Sequence, residues 1–183
     1  MSEYAQYEAF ANPQSISYVF DLDYTLYSRD DFTNHPNIKI MYDSFQPKPF
    51  LHQLLKSLKG NKYIFTNANY KHTHEVLKRC GIPENIFLGI TSYDMSKFLK
   101  PAPESYLYAI QKFNLTPEDI TIFFEDTLEN LKAAKELHGW LTVWITPYAR
   151  GGKPDYVDYS FSSIEEALLF FVIRDKVNRD TIV

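Results

Sequence analysis

The 183-residue sequence has a single cysteine, no excess of basic residues and no long apolar run. Because Cys80 has no second cysteine to pair with, an intrachain disulfide is excluded, which fits a reducing compartment. The net charge is −4, so we expect no extended nucleic-acid surface, because such surfaces usually carry a basic excess. No apolar run is long enough to span a bilayer, and the first residues lack the pattern of a secretory signal. We therefore expect a cytoplasmic protein that has no membrane partner.

The chain also lacks internal repeats and low-complexity tracts, and its length suits one domain. Its 45% hydrophobic and 23% charged residues are compatible with a packed core. We expect residues 1–14 to form a polar lead-in and residues 15–183 to form a single domain. The sequence leaves the oligomeric state open, so an oligomer is possible.

Short apolar segments alternate with helical patterns along most of the chain. Five segments are predicted strands because they are rich in β-branched and aromatic residues: ISYVF (16–20), KYIF (62–65), IFLGI (86–90), ITIFF (120–124) and LTVWI (141–145). Such segments, apolar on both faces, are typical of a parallel sheet that is covered on both sides. Helical patterns between them end at Gly60, Gly81 and Gly139. The sequence therefore predicts an α/β fold: a doubly wound, Rossmann-like three-layer sandwich around a mostly parallel sheet of about five strands.

Polar side chains follow the predicted strands at the points where the strands end. In chain order they are Asp21, Asp23, Thr66, Asn67, Glu125 and Asp126, and Lys100 opens the predicted helix before the fourth strand. The carboxyl ends of parallel strands lie at one edge of a sheet, so we expect these residues to converge. Crowded carboxylates repel one another unless a cation is present, and Mg²⁺ prefers such hard oxygen ligands. Because a lysine, a hydroxyl and backbone N–H groups can hold a phosphate, the set indicates a phosphoryl-transfer site.

The order of these motifs resembles the haloacid dehalogenase-like (HAD) superfamily of phosphatases. VFDLDYT matches its first motif, an apolar strand followed by D-x-D-x-T, and YIFTN matches its second. LKPAPESY looks like the third motif, and IFFEDTLEN looks like the fourth. The resemblance covers roughly residues 15–170. Within the superfamily, FDLDYTLY, FTNANYKH and FFEDTLENLKAAK look most like the pyrimidine 5′-nucleotidase-like branch.

This resemblance implies a role for each motif residue. Asp21 would attack phosphorus and form an aspartyl-phosphate, and Asp23 would act as general acid and then as general base. Thr25 would steady the loop around Asp23. The phosphate would be held by Thr66, the Asn67 backbone and Lys100. Magnesium would be bound by Asp21, the Asp23 carbonyl and Asp126, with Glu125 binding directly or through water.

The stretch between the first and second motifs is too short for the cap domain that small-molecule HAD phosphatases usually carry. We therefore expect the cap to be absent or minimal, with residues 28–46 forming a flap beside the site. Tyr24, Tyr27 and Tyr42 lie in or next to this flap. We expect their replacement to change substrate preference more than stability.

The resemblance implies hydrolysis of a small phosphorylated substrate, such as a nucleoside monophosphate. Two alternatives stay open: a phosphatase for a phosphoprotein or a nucleic-acid end, and a non-catalytic binding protein that keeps the HAD fold. A dehalogenase of this fold would not need a second acid at position 23. His72 and His74 are two residues apart on a predicted helix and would point apart, so we interpret both as solvated or structural.

Overall fold

The computed structural model describes residues 15–180, so the expected lead-in at 1–14 lies outside the described residues. The strands are β1 (Ile16–Phe20), β2 (Asn61–Phe65), β3 (Gly89–Thr91), β4 (Ile120–Glu125), β5 (Leu141–Ile145) and β6 (Tyr159–Phe161). The α-helices are α1 (Ile38–Asp43), α2 (Pro49–Ser57), α3 (Tyr70–Arg79), α4 (Tyr93–Ser96), α5 (Pro103–Phe113), α6 (Leu128–His138) and α7 (Ile164–Asp180). Short 3₁₀ helices span Arg29–Asp31, Glu84–Ile86 and Ala149–Gly151. Across the described part of the chain, no helix is both long and apolar enough to cross a membrane.

The strands form one parallel sheet in the order β3–β2–β1–β4–β5–β6. In this order the chain winds outward from β1 in one direction and then from β4 in the other. Phe20 of β1 lies opposite Ile64 of β2 and Phe124 of β4, so the ends of these three strands lie side by side. Open α/β sheets bind ligands at such a switch point. The predicted fold class is confirmed.

Two details of the strand prediction differ from the structure. The sheet has a sixth strand, Tyr159–Phe161, whose three residues are all only partly buried. This edge strand is too short for an apolar pattern to reveal it. The third strand is Gly89–Thr91 rather than 86–90, because the chain first forms the 3₁₀ helix Glu84–Ile86. Phe87 is nevertheless buried, so the apolar pattern extended beyond the hydrogen-bonded strand.

Of the three helix ends predicted at glycines, two are confirmed and one is wrong. Gly81 and Gly139 follow α3 and α6 with positive φ, as a helix C-terminus favours. The helix α2 ends earlier than predicted, at Ser57. Gly60 lies instead in the turn into β2, where an added Cβ would come within 2.5 Å of the Ile16 carbonyl oxygen.

Alternate residues of the central strands face two separate cores. On one face Tyr18, Phe20 and Phe124 belong to a first core that includes buried residues of α2, α3 and α7. On the other face Val19 and Phe123 belong to a second core with buried residues of α5 and α6. Because both faces of the sheet are covered, the central strands are apolar at successive positions. This packing fixes the strand ends from which the polar residues extend.

Residues 28–46 form only a 3₁₀ helix and the six-residue helix α1. Tyr42 and Phe45 anchor this segment because both are buried in the first core. Lys48, just after the segment, forms an ion pair with Asp31 at 2.8 Å. The segment is far too small to be a domain, so the cap is minimal, as predicted. That the segment acts as a flap stays a prediction.

The second core gives a direct test of the helix packing. Leu131 of α6 is fully buried, whereas Leu137 on the same helix is 48% exposed. We expect Leu131→Ala to lower the free energy of unfolding by about 2–5 kcal/mol, because it removes buried apolar atoms and leaves a cavity. Leu137→Ala should change it by less than about 0.5 kcal/mol. Urea unfolding followed by circular dichroism measures both values, and equal losses would contradict the packing of α6.

Candidate active site

Three predicted site carboxylates lie together where β1 and β4 end. Asp21 follows β1, and its backbone N–H donates to the Phe124 carbonyl of β4 at 2.9 Å. Glu125 is the last residue of β4, and Asp126 follows it. Asp21, Glu125 and Asp126 each offer a carboxylate oxygen within 4.8 Å of the others. The strand order thus brings together acids that are about a hundred residues apart in sequence.

Lys100 reaches the same point from the loop before α5. Its side chain is completely buried, and its Nζ donates to Asp21 Oδ1 at 2.8 Å, Glu125 Oε2 at 2.7 Å and the Phe65 carbonyl at 2.8 Å. These contacts use all three donors of the ammonium group. Burial acts to lower the pKa of Lys100, but the two carboxylates outweigh it and raise the pKa above its usual value. Lys100 is therefore a fixed positive charge within the acidic cluster.

Asn67 and Thr66 lie beside Lys100 at the end of β2. The Asn67 side chain accepts from the Lys100 N–H at 2.7 Å and donates to the Lys100 carbonyl at 3.0 Å. This clamp was not predicted, because the sequence argument used only the Asn67 backbone. The buried Thr66 Oγ1 accepts from the Ala68 N–H at 3.0 Å. A hydroxyl that accepts can still donate, so Thr66 retains a proton for a phosphate oxygen.

The acidic cluster has more negative charge than Lys100 can offset. Burial, and then the neighbouring Glu125, raise the pKa of Asp21 to about 7 in spite of Lys100. Burial, and then Asp21, raise the pKa of Asp126 to about 6. Burial also raises the pKa of Glu125. A cluster of buried hard oxygen donors with excess negative charge fits Mg²⁺, the metal that the sequence predicts.

Glu125 makes more protein contacts than its predicted metal role required. Besides the bond from Lys100, its Oε1 accepts from the Thr127 N–H at 3.2 Å and from Asn130 Nδ2 at 3.0 Å. Asn130 is a buried residue of α6 that the sequence argument missed. Glu125 therefore orients Lys100 in addition to lying in the acidic cluster.

Asp23 occupies a different environment on the loop after β1. Its Oδ1 accepts from the Tyr27 hydroxyl at 2.5 Å and lies 2.8 Å from His72 Nε2. Burial acts to raise the pKa of Asp23, but the hydrogen bonds from His72 and Tyr27 outweigh it and hold the pKa below its usual range. On its other side, His72 Nδ1 lies 2.7 Å from the Tyr42 hydroxyl. The two acids of the first motif thus have opposite electrostatic surroundings.

The contact between His72 and Asp23 was missed in the sequence, although a signal was present. His72 lies in the first turn of α3, the helix that follows Thr66 and Asn67, so its position placed it near the strand ends. His74 lies 3.0 Å from the partly exposed Glu84, on a different side of the helix. The two histidines contact different acids, so they do point apart, as expected.

The loop around Asp23 borders a cavity of about 590 Å³. Thr25 and Tyr24 of this loop line the cavity, together with Arg29 and Asp126. The Tyr24 ring lies under the Arg29 guanidinium, which is 4.7 Å from its centroid. The buried Thr25 hydroxyl has no hydrogen-bond partner among the described residues. The cavity therefore opens next to the acidic cluster and has both aromatic and charged walls.

The three flap tyrosines do not share one environment. Tyr24 is 38% exposed, whereas Tyr27 and Tyr42 are 4% and 9% exposed and belong to the first core. We expect replacement of the two buried rings to cost stability, because each would leave a cavity in the core. The expectation that substrate preference changes more than stability is therefore kept for Tyr24 alone.

The described residues thus form a doubly wound parallel α/β sheet with three acids and one lysine at its switch point. The sequence model of one family, described as haloacid dehalogenase-like hydrolase, matches residues 29–138. The chain belongs to this family of hydrolases. The matched region contains Lys100 and Asp126 but begins after Asp21 and Asp23.

Similar solved structures include three proteins of low sequence identity. An L-2-haloacid dehalogenase from Xanthobacter autotrophicus has 13% identity and a TM-score of 0.63, with 88% of this chain and 99% of that chain covered. CbbY from Rhodobacter sphaeroides in complex with phosphate has 19% identity and a TM-score of 0.59, with 84% and 96% covered. The HAD-hydrolase YfnB from Bacillus subtilis, bound to magnesium, has 14% identity and a TM-score of 0.60, with 86% and 98% covered. These likenesses show the fold alone.

The raised pKa of Asp126 makes the metal-free protein sensitive to pH. Because the folded state holds this proton more tightly, stability is lost as pH rises from the ordinary pKa of 3.8 through about 6. We expect Asp126→Asn to raise the free energy of unfolding of the metal-free protein by about 1–3 kcal/mol near neutral pH. Below the ordinary pKa, the two proteins should be equally stable.

Urea unfolding with and without excess MgCl₂ checks this prediction. Magnesium should stabilise the wild type and leave Asp126→Asn nearly unchanged, because binding to the folded state raises its stability. Asp155→Asn removes an exposed carboxylate and should behave as the wild type. Equal stabilisation of wild type and Asp126→Asn by magnesium would remove Asp126 from the metal site.

Proposed function

We propose that the protein is a magnesium-dependent phosphomonoester hydrolase that works through an aspartyl-phosphate on Asp21. The observation that carries this proposal is Asp23, a second acid held outside the acidic cluster by Tyr27 and His72. The alcohol of a phosphate ester leaves as an alkoxide that needs a proton, whereas a halide is a stable anion that leaves without one. Asp23 therefore favours a phosphatase over a dehalogenase, although solved structures of both kinds share this fold.

In the first step, Asp21 attacks phosphorus and the ester oxygen departs. Lys100 Nζ, 2.8 Å from Asp21 Oδ1, holds the nucleophile in place and offsets the charge that gathers around it. The Thr66 hydroxyl and the Asn67 N–H donate to the phosphate oxygens. When bound by Asp21 and Asp126, Mg²⁺ supplies positive charge that offsets the phosphate and the carboxylates.

Asp23 transfers the proton in both steps of this mechanism. In the first step Asp23 acts in its protonated form, which the negative charge of a bound phosphate favours. It gives its proton to the leaving oxygen, so that an alcohol departs and Asp23 becomes a carboxylate. In the second step it takes a proton from the water that attacks the aspartyl-phosphate. The phosphorus–oxygen bond to Asp21 then breaks, which releases inorganic phosphate and restores both carboxyl groups.

The substrate we propose is a small phosphate, such as a nucleoside monophosphate. The cavity of about 590 Å³ beside Asp126 has room for a leaving group of that size, and the aromatic ring of Tyr24 lines it. The motif resemblance to the pyrimidine 5′-nucleotidase-like branch supports the same class. With only residues 28–46 to cover the site, few contacts reach the part of the substrate beyond its phosphate. We therefore expect Michaelis constants near the high end of the usual range for enzymes, roughly 1 mM. The acidic net charge and the lone cysteine support a cytoplasmic setting without an extended nucleic-acid partner.

The decisive experiment for the nucleophile compares the wild type with Asp21→Asn. We expect the wild type to release inorganic phosphate from p-nitrophenyl phosphate and from nucleoside monophosphates when magnesium is present. Asp21→Asn should lower turnover by at least about 10³-fold, because it removes the group that forms the covalent intermediate. Excess EDTA should have a similar effect on the wild type, and Asp155→Asn serves as the surface control.

The same assay separates the competing functions. Release of halide from a 2-haloacid without phosphatase activity would identify a dehalogenase. Turnover of phosphopeptides or of nucleic-acid ends, with small esters untouched, would favour a macromolecular substrate. Binding of phosphate without turnover of any substrate would favour a binding protein.

The exposed ring of Tyr24 should affect selectivity. We expect Tyr24→Ala to lower kcat/KM for nucleoside monophosphates by about 3- to 10-fold more than for a small alkyl phosphate, because the loss corresponds to one stacking contact of about 0.5–1.5 kcal/mol. Its free energy of unfolding should stay within about 0.5 kcal/mol of the wild type. Phe50→Ala, which removes a 54% exposed ring from α2, is the matched control. The same loss for both classes of ester would show that Tyr24 does not contact the leaving group.

A further inference from the structure

We propose that His72 is a positioning residue that fixes which oxygen of the Asp23 carboxylate faces the substrate. Through Tyr42, it also connects the minimal cap to the first motif. The inference rests on the proposed function, because it concerns how the proton-transferring group of that reaction is held.

Two hydrogen bonds hold one oxygen of the Asp23 carboxylate. Both donors, the Tyr27 hydroxyl at 2.5 Å and His72 Nε2 at 2.8 Å, approach the same oxygen, Oδ1. A carboxylate oxygen has two lone pairs, so these bonds fill Oδ1. The transferable proton must then be carried by Oδ2. The Asp23 side chain is 34% exposed, so it remains accessible to a leaving group.

The contact with Asp23 determines which ring nitrogen of His72 carries the hydrogen. Asp23 Oδ1 accepts hydrogen bonds both when the carboxyl group is ionised and when Oδ2 carries the proton, so His72 Nε2 must carry a hydrogen to bond with it. In a neutral imidazole Nδ1 is then an acceptor, and the Tyr42 hydroxyl at 2.7 Å donates to it. Tyr42 is buried, so its ring cannot turn away easily. The accepting oxygen of Asp23 therefore selects the tautomer, and the Tyr42 hydroxyl holds the other side of the ring.

The three hydrogen-bonded residues belong to three separate segments of the chain. Tyr42 belongs to α1 of the minimal cap, His72 to α3, and Asp23 to the loop after β1. Their hydrogen bonds join positions that are 30 and 49 residues apart in sequence. A displacement of α1 would thus be passed to the Asp23 carboxylate through the imidazole. No other contact described between α3 and the loop after β1 involves a carboxylate of the first motif.

The expected consequence of losing His72 depends on the leaving group. A free Asp23 carboxylate can rotate, and a misplacement of about 1 Å can cost about 10²-fold in rate. That loss matters for an alkyl phosphate, whose leaving oxygen needs a proton. It matters little for p-nitrophenyl phosphate, whose leaving group departs as a stable anion. The ratio kcat/KM reports the phosphorylation step for both esters, so it isolates the effect on the acid.

Three variants test the inference. His72→Phe keeps an aromatic ring but removes the donor, and His72→Gln keeps an N–H that can reach Asp23. His74→Phe is the matched control, because His74 lies on the same helix but contacts Glu84 rather than Asp23. Urea unfolding of each variant shows whether the fold is retained.

We expect His72→Phe to lower kcat/KM for an alkyl phosphate by about 10- to 100-fold and for p-nitrophenyl phosphate by less than about 3-fold. His72→Gln should recover most of the loss, and His74→Phe should match the wild type. Nitrogen-15 NMR of the wild type should show His72 protonated at Nε2.

Each other outcome overturns a definite part of the argument. An equal loss for both esters would show a merely structural role for His72, and no loss would show no role at all. A wild-type His72 protonated at Nδ1 alone would contradict the hydrogen bond to Asp23. In all three cases a wild type that hydrolyses both esters leaves the proposed function standing. A wild type that hydrolyses neither ester would overturn the proposed function, and this role of His72 with it.

Discussion

The buried ammonium group of Lys100 is the interaction on which the site depends. It donates to Asp21 after β1, to the Phe65 carbonyl of β2 and to Glu125 of β4, so one side chain connects the ends of three adjacent strands. Asn67 holds the Lys100 backbone from both its N–H and its carbonyl. A buried charge is tolerated only when it is paired, and removing one partner of such a pair typically costs about 3–5 kcal/mol. The position of the acids and the charge of the lysine are therefore mutually dependent.

The two acids of the first motif lie only two positions apart in sequence but have opposite electrostatic environments. Asp21 lies among Glu125 and Asp126, and its pKa is raised to about 7 by burial and then by Glu125. The hydrogen bonds to Asp23 instead hold its pKa below the usual range. Pairs of titratable groups whose environments differ in this way are typical of sites where the groups have different tasks. In the mechanism we propose, a bound metal ion would offset the repulsion among the acids around Asp21. The imidazole of His72 positions the Asp23 carboxylate.

The minimal cap of residues 28–46 adds little surface of its own, but it is tied closely to the site. Tyr42 connects α1 to His72, and Lys48 connects the end of the segment to Asp31 and Glu165. The chain belongs to the haloacid dehalogenase-like hydrolases, and the similar solved structures contain dehalogenases as well as CbbY with phosphate. Family membership therefore defines the framework of the site. The choice of reaction depends on individual side chains, with Asp23 the most informative.

The sequence by itself determined the parallel α/β fold and the convergence of Asp21, Lys100 and Glu125. Strand periodicity and the rule that strand ends share one sheet edge are local signals, so they can be read without coordinates. The tertiary structure decided what those signals leave open: the hydrogen bond of His72 to Asp23, the hold of the Asn67 side chain on Lys100, and the short strand β6. Each of these depends on contacts between segments that are distant in sequence, and the direction of a side chain toward a distant segment has no periodicity from which to infer it.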